Sequence, residues 1–231
     1  MMKKQGKKNI IKSFVDRLGQ QMIFFPLLGI ALFLIFYSIA AMLYPGGSWL
    51  SPTYEGFSIW NNYLCDLLDD ISINGELNRA KYFARISLAV LCAGLMTLWY
   101  HLPKLFDHKG INLKIMLLSG YLSLFTILFL AAGTHDIIVR IAGFFGVIAF
   151  ITCFIELFRV GHFSVLFYGI LCLLVFLLNY YIYESGVFIV GLPIIQKITF
   201  LMFIVWFMYL NIIIYKKVKK VVNDFNHGPL L

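Results

Sequence analysis

Apolar residues recur in six long runs, at about 22–44, 82–102, 115–133, 137–158, 164–183 and 194–215. Each approaches the roughly 20 residues that a helix needs to cross the hydrocarbon core of a bilayer. The gap between the third and fourth runs is short and predicts a tight helical hairpin. Before the first run, Ile10, Ile11, Phe14, Val15 and Leu18 recur at helical spacing among lysines, as in a helix lying at a membrane surface. Between the first two runs lies the longest polar segment, about residues 45–81. Within it Ile59, Trp60, Tyr63, Leu64, Leu67 and Leu68 form a helical stripe, with Asn62, Asp66, Asp69 and Asp70 on the other side. That pattern predicts a short amphipathic helix in the loop. Asn74-Gly75 is a turn signal, and the second spanning helix is expected to start near Glu76.

The fold class expected is therefore an all-α integral membrane protein with six transmembrane helices. A basic arm covers 1–21, the helical domain 22–215 and a basic tail 216–231. Composition agrees: 61% of the 231 residues are hydrophobic and 13% charged, with mean hydropathy +0.87. Soluble domains carry about 25% charged residues. Six spans leave no length for a second folded domain. The basic start, the first apolar run and Ser38-Ile39-Ala40 imitate a signal peptide. The basic region and the run are both longer than such a peptide uses, so retention is expected.

The net charge of +8 changes the picture by its distribution. With the N-terminus inside, fourteen Lys and Arg fall on the inner side and five outside, namely Arg79, Lys81, Arg85, Arg140 and Lys197. The positive-inside rule then places both termini in the cytoplasm. Tyr44 and Tyr180–Tyr183 would mark the outer interface, and Trp99, Tyr100 and Tyr215 the inner one. Lysines flanking apolar runs are anchors, and no nucleic-acid-binding module is present. Cys65, Cys92, Cys153 and Cys172 contain no CxxC pair, and only Cys65 lies outside an apolar run. Neither a disulfide framework nor a structural zinc site is expected.

Seven of the eleven acids fall outside, five of them in the long loop. Arg85 lies close to hydrocarbon, where an arginine must snorkel or find a partner among Asp66, Asp69 and Asp136. Asp136 and Arg140 are spaced to pair along the fourth helix. His135, the only outer histidine, is the natural proton carrier there. Asp66, His135 and Asp136 are the candidate catalytic residues. Asn62, Asn78, Arg79, Arg85, Arg140 and Lys197 are the candidate substrate-binding residues, with the cations suited to a lipid phosphate. No cofactor is expected. His101, His108, Asp107, His162 and Glu156 on the inner side lack metal-ligand spacing, so no metal is expected. Glu156 has Arg159 at i+3, and Ala142, Gly143, Gly146 and Ala149 offer a small-residue packing face.

The stretch Asn62-Tyr63-Leu64-Cys65-Asp66-Leu67-Leu68, then Asn78-Arg79, resembles a family of uncharacterised prokaryotic membrane proteins similar to the FRAG, DRAM and Sfk group. Asn62, Asp66, Leu67 and Asn78 match that family's pattern. Cys65 stands where it has Ser, and Leu68 where it has Gly. The resemblance implies a six-helix fold in a prokaryotic cell membrane and a connection with lipids. The expected partners are membrane lipids, an anionic head group among them. The leading expectation is a lipid-handling protein that binds or modifies a head group at the outer face. A non-catalytic assembly or scaffold subunit and a small-solute or proton-coupled transporter are the alternatives. Spans nearly free of ionisable residues at their centres count against transport.

Overall fold

The structure, a computed structural model, describes residues 23–131 and 135–227. The basic arm and its expected surface helix lie outside those residues, as does Thr134. Six helices follow in order: α1 Phe25–Leu43, α2 Ala80–His101, α3 Ile111–Ile127, α4 His135–Arg159, α5 Phe163–Ser185 and α6 Leu192–His227. All six are long and apolar enough to cross a membrane. Pro26 opens α1, where a missing N–H costs nothing. Gly186 ends α5 in the left-handed region at φ 71°, a conformation glycine adopts freely. The 44–79 loop, the 128–131 turn and the α5–α6 connection share one end of the bundle, called here the loop face. The α2–α3 and α4–α5 connections lie at the opposite face.

Three helix contacts repeat one device. The Trp99 indole on α2 donates to the Met116 carbonyl of α3 at 2.8 Å. A Cβ on Gly120, four residues on, would lie 1.9 Å from that indole nitrogen. The Trp206 indole on α6 donates to the Val165 carbonyl of α5 at 2.9 Å, and a Cβ on Gly169 would lie 2.7 Å from it. Ser123 Oγ on α3 donates to the Ala142 carbonyl of α4 at 2.8 Å, beside Gly146. In each case glycine stands four residues after the acceptor. A side chain there would cover the carbonyl that already serves the helix ladder. Its absence lets a second donor reach the oxygen, so a polar contact ties two helices where water is scarce. α1 and α2 approach differently, glycine on glycine: a Cβ on Gly29 would meet the Gly94 Cα at 3.0 Å.

Trp99 is thus a core residue at 3% exposure rather than an interfacial anchor. It belongs to an aromatic core in which Phe150 packs against Trp99, Phe203, Trp206 and Phe207. Ala142 and Ala149 are buried as the small-residue face predicts. Cys92, Cys153 and Cys172 are buried free thiols.

The loop departs from the expected pattern. A single 3-10 turn, Cys65–Leu68, replaces the amphipathic helix. Ile59 and Trp60 are exposed while Leu67 and Leu68 are buried, so the stripe is not one face. The chain prefers turns held by side chains. Gly46 and Gly47 thread between segments 54–56 and 73–74, bonded through Gly47 N to Tyr54 O at 2.7 Å and Gly56 N to Pro45 O at 3.0 Å. A Cβ on Gly47, at φ 87°, would lie 2.4 Å from the Asn74 nitrogen. An antiparallel bridge joins Ile71 and Leu77. With those residues paired, α2 starts at Ala80 rather than near Glu76.

Candidate functional site

The polar residues of the loop face fall into three groups. The first is buried. Asn62 is fully buried and spends both ends of its amide. Its Oδ1 accepts from Ser58 N at 2.9 Å, and its Nδ2 donates to Gly47 O at 2.7 Å and to Asp66 Oδ2 at 2.9 Å. Asp66 Oδ2 also accepts from Tyr63 N at 2.9 Å. This local bond competes with helix formation and limits the segment to one turn. Asn78, also fully buried, donates Nδ2 to the carbonyls of Asp66, Leu67 and Asp69 and accepts from Ala80 N at 3.0 Å. The two asparagines are therefore occupied by the loop's own backbone, leaving no amide group free for a substrate.

Helices α1 and α6 hold this knot from beneath. The Tyr37 hydroxyl donates to Leu64 O. Gln196 Oε1 accepts from Leu64 N at 2.9 Å. Lys197 Nζ donates to Asn62 O at 2.5 Å and Pro193 O at 3.0 Å, and lies over the Phe57 ring. The sequence offered Lys197 as a candidate substrate-binding cation. The structure places it under the loop as a fastener.

Burial pushes the Asp66 carboxyl above its usual range, against the Asn62 and Tyr63 hydrogen bonds that favour its charge. Burial, then the charges of Asp66 and Asp69, pushes the Cys65 thiol up to about 12. A thiol so held does not form the thiolate that nucleophilic attack requires. Burial also raises the Tyr44 phenol, whose oxygen accepts from Ile73 N at 3.2 Å.

The second group lies at the start of α2, where Asp70 is exposed, Arg85 partly so, and the Lys81 side chain largely covered. Lys81 Nζ and Arg85 Nη2 share Asp70 Oδ1, at 2.8 and 3.0 Å. Arg85 also donates from Nε and Nη2 to Leu68 O, at 3.1 and 2.9 Å. Its partner is thus Asp70 and a carbonyl rather than Asp66, Asp69 or Asp136. The hydrogen bond and charge of Lys81, with the charge of Arg85, hold the Asp70 carboxyl below its usual range. Asp69 beside it is raised by burial, a shift opposed by the charges of His135 and Arg85. Arg79 is exposed and makes no side-chain bond among the described residues.

The third group spans α4 and α5. His135 Nδ1 lies 3.2 Å from Asp136 Oδ1, which also accepts from the Tyr183 hydroxyl at 2.8 Å. Arg140 pairs with Glu184 at 2.8 Å, so it reaches across to α5 instead of back to Asp136. The Cys65–Leu68 turn rests on the 128–131 turn, which brings the first and third groups side by side.

Sequence reasoning missed Tyr37 and Gln196, which carry no charge and sit 27 and 132 residues from their partner. At the opposite face it anticipated the Glu156–Arg159 pair, found at 2.9 Å. Asn112 Nδ2 adds a bond to the same Oε1 at 2.6 Å, and His108 Nε2 lies 3.0 Å from Oε2. Among the described residues no three His, Cys, Asp or Glu side chains converge on a metal position.

No protein-family model matches the chain, and no curated protein or solved structure matches it. The reading of the site rests on its own residues.

Proposed function

We infer that this is a membrane protein whose loop face holds an anionic lipid head group at the first turns of α2. The observation that carries the reading is local charge. Arg79, Lys81 and Arg85 lie within seven residues, Arg79 exposed, Arg85 partly exposed and Lys81 largely covered, and the acids beside them are Asp69, Asp70 and Glu76. The positive end of the α2 dipole adds to that field. Phosphate oxygens match the guanidinium fork. The excess of Lys and Arg on the other face supports an outer-leaflet position for the site, with both termini in the cytoplasm. In a prokaryote this is the cell membrane.

Binding, rather than group transfer, is the role that fits. Asp66 spends Oδ2 on the loop, and Cys65 stays protonated. His135, Asp136 and Tyr183 form an exposed hydrogen-bonded chain that suits a second contact to the head group. A scaffold role would use the same rigid loop without the cations. Native mass spectrometry after purification in mild detergent separates the two. The protein should retain phosphatidylglycerol over phosphatidylcholine, and the double variant R79Q/K81Q should lose that preference. Equal retention of both lipids by the natural protein would refute the reading.

A further inference from the structure

The loop carries an apolar surface that the head-group site does not use. Two turns share one design. Ser48 is buried, and the turn it opens is closed by Ser48 N to Ser51 O at 3.0 Å and Ser51 N to Ser48 O at 3.1 Å. Its tip is Trp49-Leu50, exposed at 76% and 54%. Ser58 is also buried, and Asn62 N closes its turn on Ser58 O at 3.0 Å. That tip is Ile59-Trp60, exposed at 63% and 71%. Asn62 Nδ2 reaches Gly47 O at 2.7 Å, directly before the first turn, while Asn62 Oδ1 caps the second. One buried amide therefore fixes both tips to each other. Exposing four large apolar side chains on such a braced frame is costly in water, and it marks a surface that is covered in use.

The covering that fits is the bilayer interface itself. The loop leaves α1 at Leu43, and Met42 and Leu43 at that helix end are exposed, only six residues before Trp49 in the chain. Between residues 45 and 65 the only charged residue is Glu55. Tryptophan is the residue that favours the head-group layer, with an apolar body and a polar N–H. We propose that the Trp49-Leu50 and Ile59-Trp60 tips are two fingers that seat in the head-group layer and lay the loop on the membrane. The inference stands independently of the head-group site, because it rests on neither the cations nor the acids of that site.

The test is tryptophan quenching in liposomes of phosphatidylcholine and phosphatidylglycerol. The remaining tryptophans, Trp99 and Trp206, are buried in the bundle, so the difference between the natural protein and W49F/W60F reports the tips. Phenylalanine keeps both tips apolar, and size-exclusion elution checks that the variant is folded. Lipids brominated near the head group should quench the natural protein strongly, and the larger part of that quenching should vanish in W49F/W60F. Aqueous iodide should leave the tip component unquenched. Iodide quenching of that component, or its indifference to brominated lipid, would overturn the proposal and leave a protein partner or water over the tips. If W49F/W60F does not fold, single W49F and W60F variants give the same two readings, one tip at a time.

Discussion

At Asp66 desolvation works against a charge that two hydrogen bonds favour, and the outcome is a raised carboxyl. The folded loop then holds a proton to higher pH than the unfolded chain does. Between the two values it binds more protons, so stability falls as pH rises above about 4, the ordinary Asp value. Asp69, also raised by burial, adds a contribution of the same sign. Asp70 works the other way: its lowered carboxyl contributes stability above the ordinary Asp value, lost as pH falls through and below it. Hydrogen exchange of residues 58–70 against pH checks the signs. Asp66→Asn should flatten its share of the alkaline-side loss and keep the fold, since an amide oxygen still accepts from Asn62 and Tyr63. Asp66→Ala leaves those two donors buried without an acceptor and should destabilise the loop by about 1–3 kcal/mol. Asn78→Ala, which frees three carbonyls and the Ala80 nitrogen, should cost a similar amount, read as faster proteolysis between residues 66 and 80. Asp66 and Asn78 stood out in the sequence as polar residues in a long loop. Their use did not, because the same residue types serve a substrate or a backbone equally well, and only the positions of Gly47, Leu67 and Ala80 in space decide between them.

At the scale of helices the hydrophobic pattern was informative, because a span is a local property: about 20 apolar residues suffice wherever their neighbours lie. The six runs become six helices with most ends displaced by a few residues; the exception is α6, which continues past 215 to His227 through the basic tail. The start of α2, expected near Glu76, moves to Ala80 because the Ile71–Leu77 bridge holds the residues before it. The loop is the opposite case. Its expected helix rested on spacing within one segment, while its actual form depends on Gly46, Gly47 and Asn74, and on Gln196 far along the chain. The glycine-notched contacts yield a prediction of their own. Gly120→Ala puts a methyl group into the Trp99 indole, and Gly169→Ala does the same to Trp206. Each should destabilise the bundle by about 1–3 kcal/mol through overpacking, measured as a lower unfolding temperature in detergent. Gly143→Ala, whose added Cβ would have only an ordinary contact at 3.6 Å, should leave it nearly unchanged. On the opposite face Glu156→Ala strips Asn112 and Arg159 of their shared acceptor. The loss should be about 1–3 kcal/mol, the cost of leaving the Asn112 amide without its acceptor, because the Arg159 side chain is 55% exposed and can turn to water; Glu156→Gln should be milder because it still accepts from Asn112.

Across the whole molecule, charge is sorted between two faces. The loop face holds seven of the eleven acids and five cations, and most of these are paired or folded under the loop. At the start of α2 the cation that remains presented is Arg79, beside the Asp70 pair in which Arg85 is partly exposed and Lys81 largely covered. A patch so small has an effect that single charges can reverse. Each cation near an anionic membrane surface contributes about 1 kcal/mol, or roughly fivefold in binding. The decisive measurement is phosphatidylglycerol retention by native mass spectrometry for two variants that change the local charge in opposite directions. Arg79→Gln, at an exposed residue with no bond among the described ones, should weaken retention by about fivefold. Asp70→Asn, which removes the acid that Lys81 and Arg85 share, should strengthen it. Retention unchanged in both variants, or shifted the same way in both, would contradict a head-group site at the start of α2.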